Sequence, residues 1–164
     1  MKTDAQRRAQ VAAWRRDGLR IVFTNGVFDV LHIGHATYLS AAKSLGDKLV
    51  VGVNSDSSVR RLGKGPERPI HTDTDRAALL SHLSAVDMTW IFEEDTPIQL
   101  IEMVKPDVLV KGGDYDPIEE NPAHKGYIVG REAVLEWGGE VKAIPLVSGH
   151  STTSILAKTR PAQD

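Results

Sequence analysis

Thr24-Asn25-Gly26-Val27-Phe28-Asp29-Val30-Leu31-His32-Ile33-Gly34-His35 is the stretch on which the fold turns. It follows the apolar run Ile21-Val22-Phe23, which reads as a strand. It leads into a helix expected over about 35–45, where Ala36, Leu39 and Ala42 recur at helical spacing before Gly46. Further out the alternation continues. Apolar runs at Leu49 to Val53, Trp90 to Phe92, Val108 to Val110 and Val141 to Leu146 are separated by helical patterns over about 72–85, 96–105 and 127–137, and a last helix is expected over about 152–159. A polar loop is expected from 54 to 70, Thr72 is spaced to cap one helix, and Thr96-Pro97 with Gln99 predicts a capped start to the next. The strands lack polar alternation, as when both sheet faces are covered. The fold class expected is α/β: a Rossmann-like three-layer sandwich with a mostly parallel five-stranded sheet. The 1–18 segment predicts a surface helix, ahead of a domain over 19–160.

In such sheets ligands bind outside the carboxyl ends of the strands, where the strand order reverses. The residues just after each strand are therefore the candidates. After the first strand come Thr24, Asn25, Gly26, Phe28 and Asp29, and then His32, Gly34 and His35 where the helix begins. Two imidazoles one turn apart beside free N–H groups and the positive end of a helix dipole suit phosphate oxygens. Gly34 between them removes a Cβ from the approach. Asn54 and Asp56 follow the second strand, Lys111, Gly113 and Asp114 the fourth, and Ser151, Thr152 and Thr153 open the last helix. Arg60, Arg61, Lys64 and Arg68, with Gly63 and Gly65, form a cationic segment that could close on a triphosphate, and Arg76 is a further candidate. The glycine spacing matches neither the dinucleotide fingerprint nor a Walker A loop, and His32-x-x-His35 lacks a nearby third ligand for a metal site.

The chain has 164 residues, a formal charge of −2 and no cysteine. Thiolate metal centres, disulfides and a cysteine nucleophile are excluded, and the charge balance gives no general attraction to nucleic acid or to an anionic membrane. No signal-peptide pattern or apolar span is present, so a cytoplasmic protein is expected.

The segment 24–35 resembles the first motif of the HxGH nucleotidyltransferases of the cytidylyltransferase-like superfamily, and Ser151-Thr152-Thr153-Ser154 is similar to their second motif, with His150 where that motif carries Ile. Val-Asn-Ser-Asp at 53–56, Phe-Glu-Glu-Asp-Thr-Pro at 92–97, Val-Lys-Gly-Gly-Asp-Tyr at 110–115, Val-Gly-Arg-Glu at 129–132 and Gly-Gly-Glu-Val at 138–141 look more closely like the heptose 1-phosphate adenylyltransferase family. That resemblance implies adenylyl transfer from ATP, with Mg²⁺ held mainly through the triphosphate, to a sugar phosphate for the lipopolysaccharide inner core. His32 and His35 would stabilise the triphosphate, with Arg60, Arg61 or Lys64 closing over it. Gly26 and Phe28 would shape the loop, Ser151 and Thr152 would meet phosphate, and Lys111 and Asp114 would lie beside ribose or base. Asp29 would orient the loop, with a water or Mg²⁺ as a further contact. A heptose kinase is fused to this unit in some relatives, and at this length a separate kinase is expected upstream. Trp14 and Trp137 are candidates for the surface of a homodimer. Sibling readings use the same histidines: a cytidylyltransferase for glycerol 3-phosphate or ethanolamine phosphate, or an FAD synthetase. A nucleotide-sensing module without turnover is the non-enzymatic alternative.

Overall fold

Alternating side-chain direction along a strand sends Ile21 and Phe23 to one face of the sheet and Val22 to the other, so each apolar run feeds two cores at once. In the computed structural model the chain is described at residues 2–63, 65, 67–113, 115–146, 149–150, 152 and 155–156. The elements are α1 (Asp4–Arg16), β1 (Ile21–Gly26), α2 (Ile33–Lys43), β2 (Lys48–Asn54), α3 (Asp56–Arg61), α4 (Asp73–Ser81), β3 (Met88–Phe92), α5 (Ile98–Val104), β4 (Val108–Gly112), α6 (Arg131–Glu136) and β5 (Glu140–Ile144). All five strands are parallel, in the order β3-β2-β1-β4-β5. The order reverses between β1 and β4, which places the crevice where Gly26 and Gly112 end their strands.

One face is covered by α1, α5 and α6. There Val11, Trp14, Leu100, Ile101, Val104 and Val134 pack with Ile21, Phe23, Val50 and Leu109. The other face is covered by α2 and α4, through Leu39, Ala42, Ala77 and Leu80 against Val22, Leu49, Val51 and Val110. Trp14 is therefore a core residue rather than an exposed dimer contact. Trp137 also packs against that core, and its indole N–H donates to Pro106 O at 3.0 Å.

Three local expectations are corrected. The 54–70 segment is not all loop: Ser55 accepts from Ser58 N–H at 3.1 Å and starts α3, a polar turn that buries Val59. Thr96 does not cap α5, because Pro97 itself takes the cap position and no side chain bonds the freed N–H groups. Finally, α6 begins only at Arg131, after Gly130 takes a left-handed conformation with φ 91°. Thr72 does cap α4, accepting from Asp75 N–H at 3.2 Å.

Candidate active site

A cavity of about 460 Å³ opens at the switch point, between the β1–α2 loop, Asn54, the start of α5 and the ends of β4 and β5. Of the residues singled out in the sequence it brings together Asn25, Gly26, Phe28, Asp29, His35, Asn54, Arg68, Lys111 and Thr152.

The β1–α2 loop is held in an unusual shape. Phe28 and Val30 have φ of 50° and 55°, a left-handed conformation that is uncommon outside glycine and disfavoured for a β-branched side chain. Hydrogen bonds to its backbone and to Asp29 hold it from behind. The Asp29 carboxylate is buried and accepts from Ile70 N–H at 2.9 Å and His71 N–H at 3.0 Å, with Arg68 Nε 2.7 Å away. Burial pushes this acid up, but the His71 and Ile70 N–H groups and the Arg68 charge outweigh it and leave its pKa below the usual carboxylate value. Thr152 Oγ1 donates to Asp29 O at 2.7 Å, fastening the far end of the chain to the same turn. Asp29 thus orients the loop, with both oxygens engaged by protein groups. Among the described residues no cluster of three His, Cys, Asp or Glu side chains could hold a metal ion.

Arg76 is neither a surface residue nor a cavity cation. Its fully buried guanidinium donates to Val27 O at 2.7 Å, His71 O at 3.0 Å and Asp56 Oδ1 at 2.7 Å, tying the loop to α3 and α4. Asp56 is consequently the counter-ion of this strut and does not line the cavity.

His32 takes the position before α2, and the His35 ring stacks on it at 3.8 Å between centroids. His35 alone of the two lines the cavity, with Phe28 edge-on at 5.4 Å. Burial, and then the neighbouring His32, pull the His35 pKa down to about 4. At neutral pH His35 is therefore an uncharged imidazole in the free protein. Its Nδ1 accepts from His32 N–H at 3.4 Å, so its proton sits on Nε2 and the ring is a hydrogen-bond donor there. Burial and His150 lower His32 as well, and His32 Nδ1 is buried with no hydrogen-bond partner among the described residues. Gly34 packs beneath this pair: a Cβ there would come within 3.0 Å of the His32 ring and 3.3 Å of His150 Cβ.

The remaining candidates separate. Thr24 is fully buried, and its hydroxyl pairs with Tyr38 OH at 2.6 Å instead of facing the cavity. Arg60 is exposed on α3 and does not line the cavity, while Arg61 is paired with Asp95 at 2.5 Å. Lys111 Nζ bonds Asn25 Oδ1 at 2.6 Å across the β1–β4 gap. Gly113, φ 99°, lines a second, more open cavity of about 620 Å³. Lys64, Asp114, Ser151 and Thr153 lie outside the described residues. Sequence reasoning missed Tyr38, Tyr127 and Leu146, which line the main cavity from positions with no motif, and gave no role to Tyr115, the last residue of the 110–115 motif.

A parallel sheet with a crevice at its switch point and a histidine at a helix start is the arrangement in which α/β folds place an anion. The chain belongs to the cytidylyltransferase-like family, whose pattern it matches over residues 23–158. It is 48% identical over 154 residues to the bifunctional protein HldE of Magnetococcus marinus, covering 94% of this chain and 30% of that protein. With the protein of the same name from Koribacter versatilis the identity is 53% over 148 residues, covering 90% and 29%. The chain thus spans about a third of the length of these curated relatives. A crystal structure of the lipopolysaccharide core biosynthesis protein from Thermoplasma volcanium superposes with a TM-score of 0.61 at 34% identity, covering 79% of this chain and 98% of that one. No helix among the described residues is long and apolar enough to cross a membrane.

Proposed function

We propose that this chain transfers the adenylyl group of ATP to D-glycero-β-D-manno-heptose 1-phosphate, giving ADP-heptose and pyrophosphate for the lipopolysaccharide inner core. The observation that carries the reading is the switch-point crevice, with His35 Nε2–H and the strained β1–α2 loop on one wall, in a chain about half identical to the HldE proteins. The acceptor phosphate is already an anion at neutral pH, so no general base is needed. One of its oxygens attacks the α-phosphorus, the bond to the bridging oxygen breaks, and pyrophosphate departs with that electron pair. The protein's task is alignment and the neutralisation of charge gathering on phosphate oxygens.

His35 Nε2–H and the N–H groups opening α2 serve as donors to the triphosphate, and Thr152, on the same cavity, is a further contact; Ser151 and Thr153, its neighbours in sequence, are candidates for the same role. Lys111 supplies positive charge at the cavity wall, while the charge of Arg68 is compensated by Asp29. Mg²⁺ enters as part of the substrate MgATP. The reaction belongs to the cytoplasm, where ATP is held, and neither nucleic acid nor membrane takes part. A separate heptose kinase acts upstream of this step. ³¹P NMR of the chain with MgATP and the heptose phosphate tests the reading: a diphosphodiester and pyrophosphate should appear together and in equal amounts. Release of ADP or inorganic phosphate in their place would contradict it.

A further inference from the structure

The two cavities at the carboxyl edge share Gly112, Tyr115 and Leu146, yet their walls differ in kind. Over β4 and β5 the wall is made mostly of small or apolar residues, Gly112, Gly113, Ala143, Pro145 and Leu146. Gly112 has no room for a side chain, since a Cβ would lie 2.8 Å from Leu146 and 2.9 Å from Tyr38. A flat ring suits that side. The main cavity is lined in addition by the polar side chains of Asn25, Asn54 and Asp95 and by Tyr127, which lies in the connection between β4 and α6.

Tyr127 is a fixed plate. Its hydroxyl donates to Glu132 Oε2 at 2.5 Å, the adjoining Ile128 is fully buried, and Gly130 lies so close to Ile101 that a Cβ there would come within 2.7 Å of it. Around it stand polar groups with unspent capacity. Asn54 uses its amide nitrogen on Ser58 Oγ at 3.0 Å and keeps its carbonyl oxygen as an acceptor. Asn25 gives its carbonyl oxygen to Lys111 and keeps its N–H donors. Asp95 holds Arg61 through one oxygen and retains the other. Donors and acceptors set around an aromatic face complement a pyranose, whose C–H face is apolar and whose hydroxyls both give and take hydrogen bonds.

We propose that Tyr127 is the platform for the sugar ring of the acceptor, with Asn25, Asn54 and Asp95 as its hydroxyl partners, so that this wall selects a sugar 1-phosphate over an open-chain phosphate. The inference rests on the adenylyl-transfer reading for the identity of the acceptor.

The test is calorimetric titration of D-glycero-β-D-manno-heptose 1-phosphate, and separately of glycerol 3-phosphate, into the full chain saturated with Mg²⁺ and a non-hydrolysable ATP analogue. Tyr127→Ala should weaken heptose phosphate by about tenfold or more, while the ATP analogue and glycerol 3-phosphate change by less than about twofold. Tyr127→Phe, which keeps the ring, should stay within about threefold of wild type. Asp95→Ala, on an exposed side chain that leaves the Tyr127 anchor intact, should weaken the heptose phosphate in the same selective way if Tyr127→Ala does not fold. An unchanged heptose phosphate affinity in these variants, no binding of it by the wild type, or a loss that falls on the ATP analogue would overturn the proposal. Tyr127-dependent binding without pyrophosphate release would sink the transfer reading and leave the platform standing. Pyrophosphate release indifferent to Tyr127 would do the reverse.

Discussion

The two ends of the sheet are built from the same residue types and used in opposite ways. At the amino end, Asp47, Asp107 and Asp87 accept from the N–H groups of Arg20, Ile21 and Leu49 at 2.7, 2.7 and 2.8 Å, so carboxylates simply cap strand starts beside water. Lys43 and Lys48 flank Asp87 at 2.6 and 3.2 Å, and Glu140 joins Arg20 and Lys142 at an open surface. At the carboxyl end, Asp29 and Arg76 are fully buried, and what they hold is a loop with two strained residues. Each left-handed non-glycine residue costs on the order of 1–3 kcal/mol, and a buried charge is tolerated only with its partner present. Buried charge is thus concentrated beside the crevice, together with two of the three left-handed non-glycine residues among the described residues; the third, Lys105 with φ 45°, ends α5 ahead of β4 at the opposite edge.

The sharpest way to break this contrast is Arg76→Met. It leaves Asp56 without its buried counter-ion and two carbonyls without donors, and we expect a loss of about 3–5 kcal/mol in urea unfolding, together with the loss of activity. A cost no larger than that of a change at the amino end would show that the strut is ordinary. Next in size, His35→Ala should lower turnover by roughly 10²–10³, about 3–4 kcal/mol of barrier, while the unfolding midpoint scarcely moves. Near-wild-type turnover in a folded variant would remove His35 from the mechanism.

Proton linkage gives a subtler measure. In the free protein His35 titrates at about 4, against 6.5 for an unperturbed histidine, so the unfolded chain takes up this proton first and stability falls as pH drops through that window. A bound polyanion favours the protonated ring and raises the folded pKa again. Binding of MgATP should therefore take up protons and tighten as pH falls from neutrality toward 5, read by calorimetry in two buffers of different ionisation enthalpy. His35→Gln should lose the uptake; uptake unchanged in that variant would assign it to another group. The smallest effect belongs to the amino end. Asp107→Ala, which frees one strand-start N–H near the surface, should cost about 1 kcal/mol of stability and leave kcat/KM within roughly twofold.

The same division governs what could be read from sequence. The strands were legible because uninterrupted apolar runs bounded by helical spacing have few alternative folds, and from them followed the edge at which Gly26, His35 and Lys111 meet. His35 was legible because a histidine at a helix start is a local signal. The strut was not: Arg76 sits in the polar first turn of α4 and reads as surface, and only the packing of α3, α4 and the β1–α2 loop closes around it. Thr24 looked like part of the phosphate loop because β1 extends to Gly26, three residues beyond the apolar run, and buries it against Tyr38. Tyr127 carries no pattern at all; its place is set by Ile128 reaching the core from a loop. The start of α5 misled for a different reason, since a threonine before proline satisfies the cap rule locally while the chain turns one residue later.

Initial-rate kcat/KM, measured as pyrophosphate release for ATP and CTP against D-glycero-β-D-manno-heptose 1-phosphate and glycerol 3-phosphate, tests the central claim most directly. A site that hydrogen-bonds several sugar hydroxyls rejects an acceptor lacking them because its buried partners are left unpaired, so ATP with heptose phosphate should exceed any pairing with glycerol 3-phosphate by at least about 10³-fold. A preference for CTP with glycerol 3-phosphate would contradict the account and make this crevice a cytidylyltransferase site.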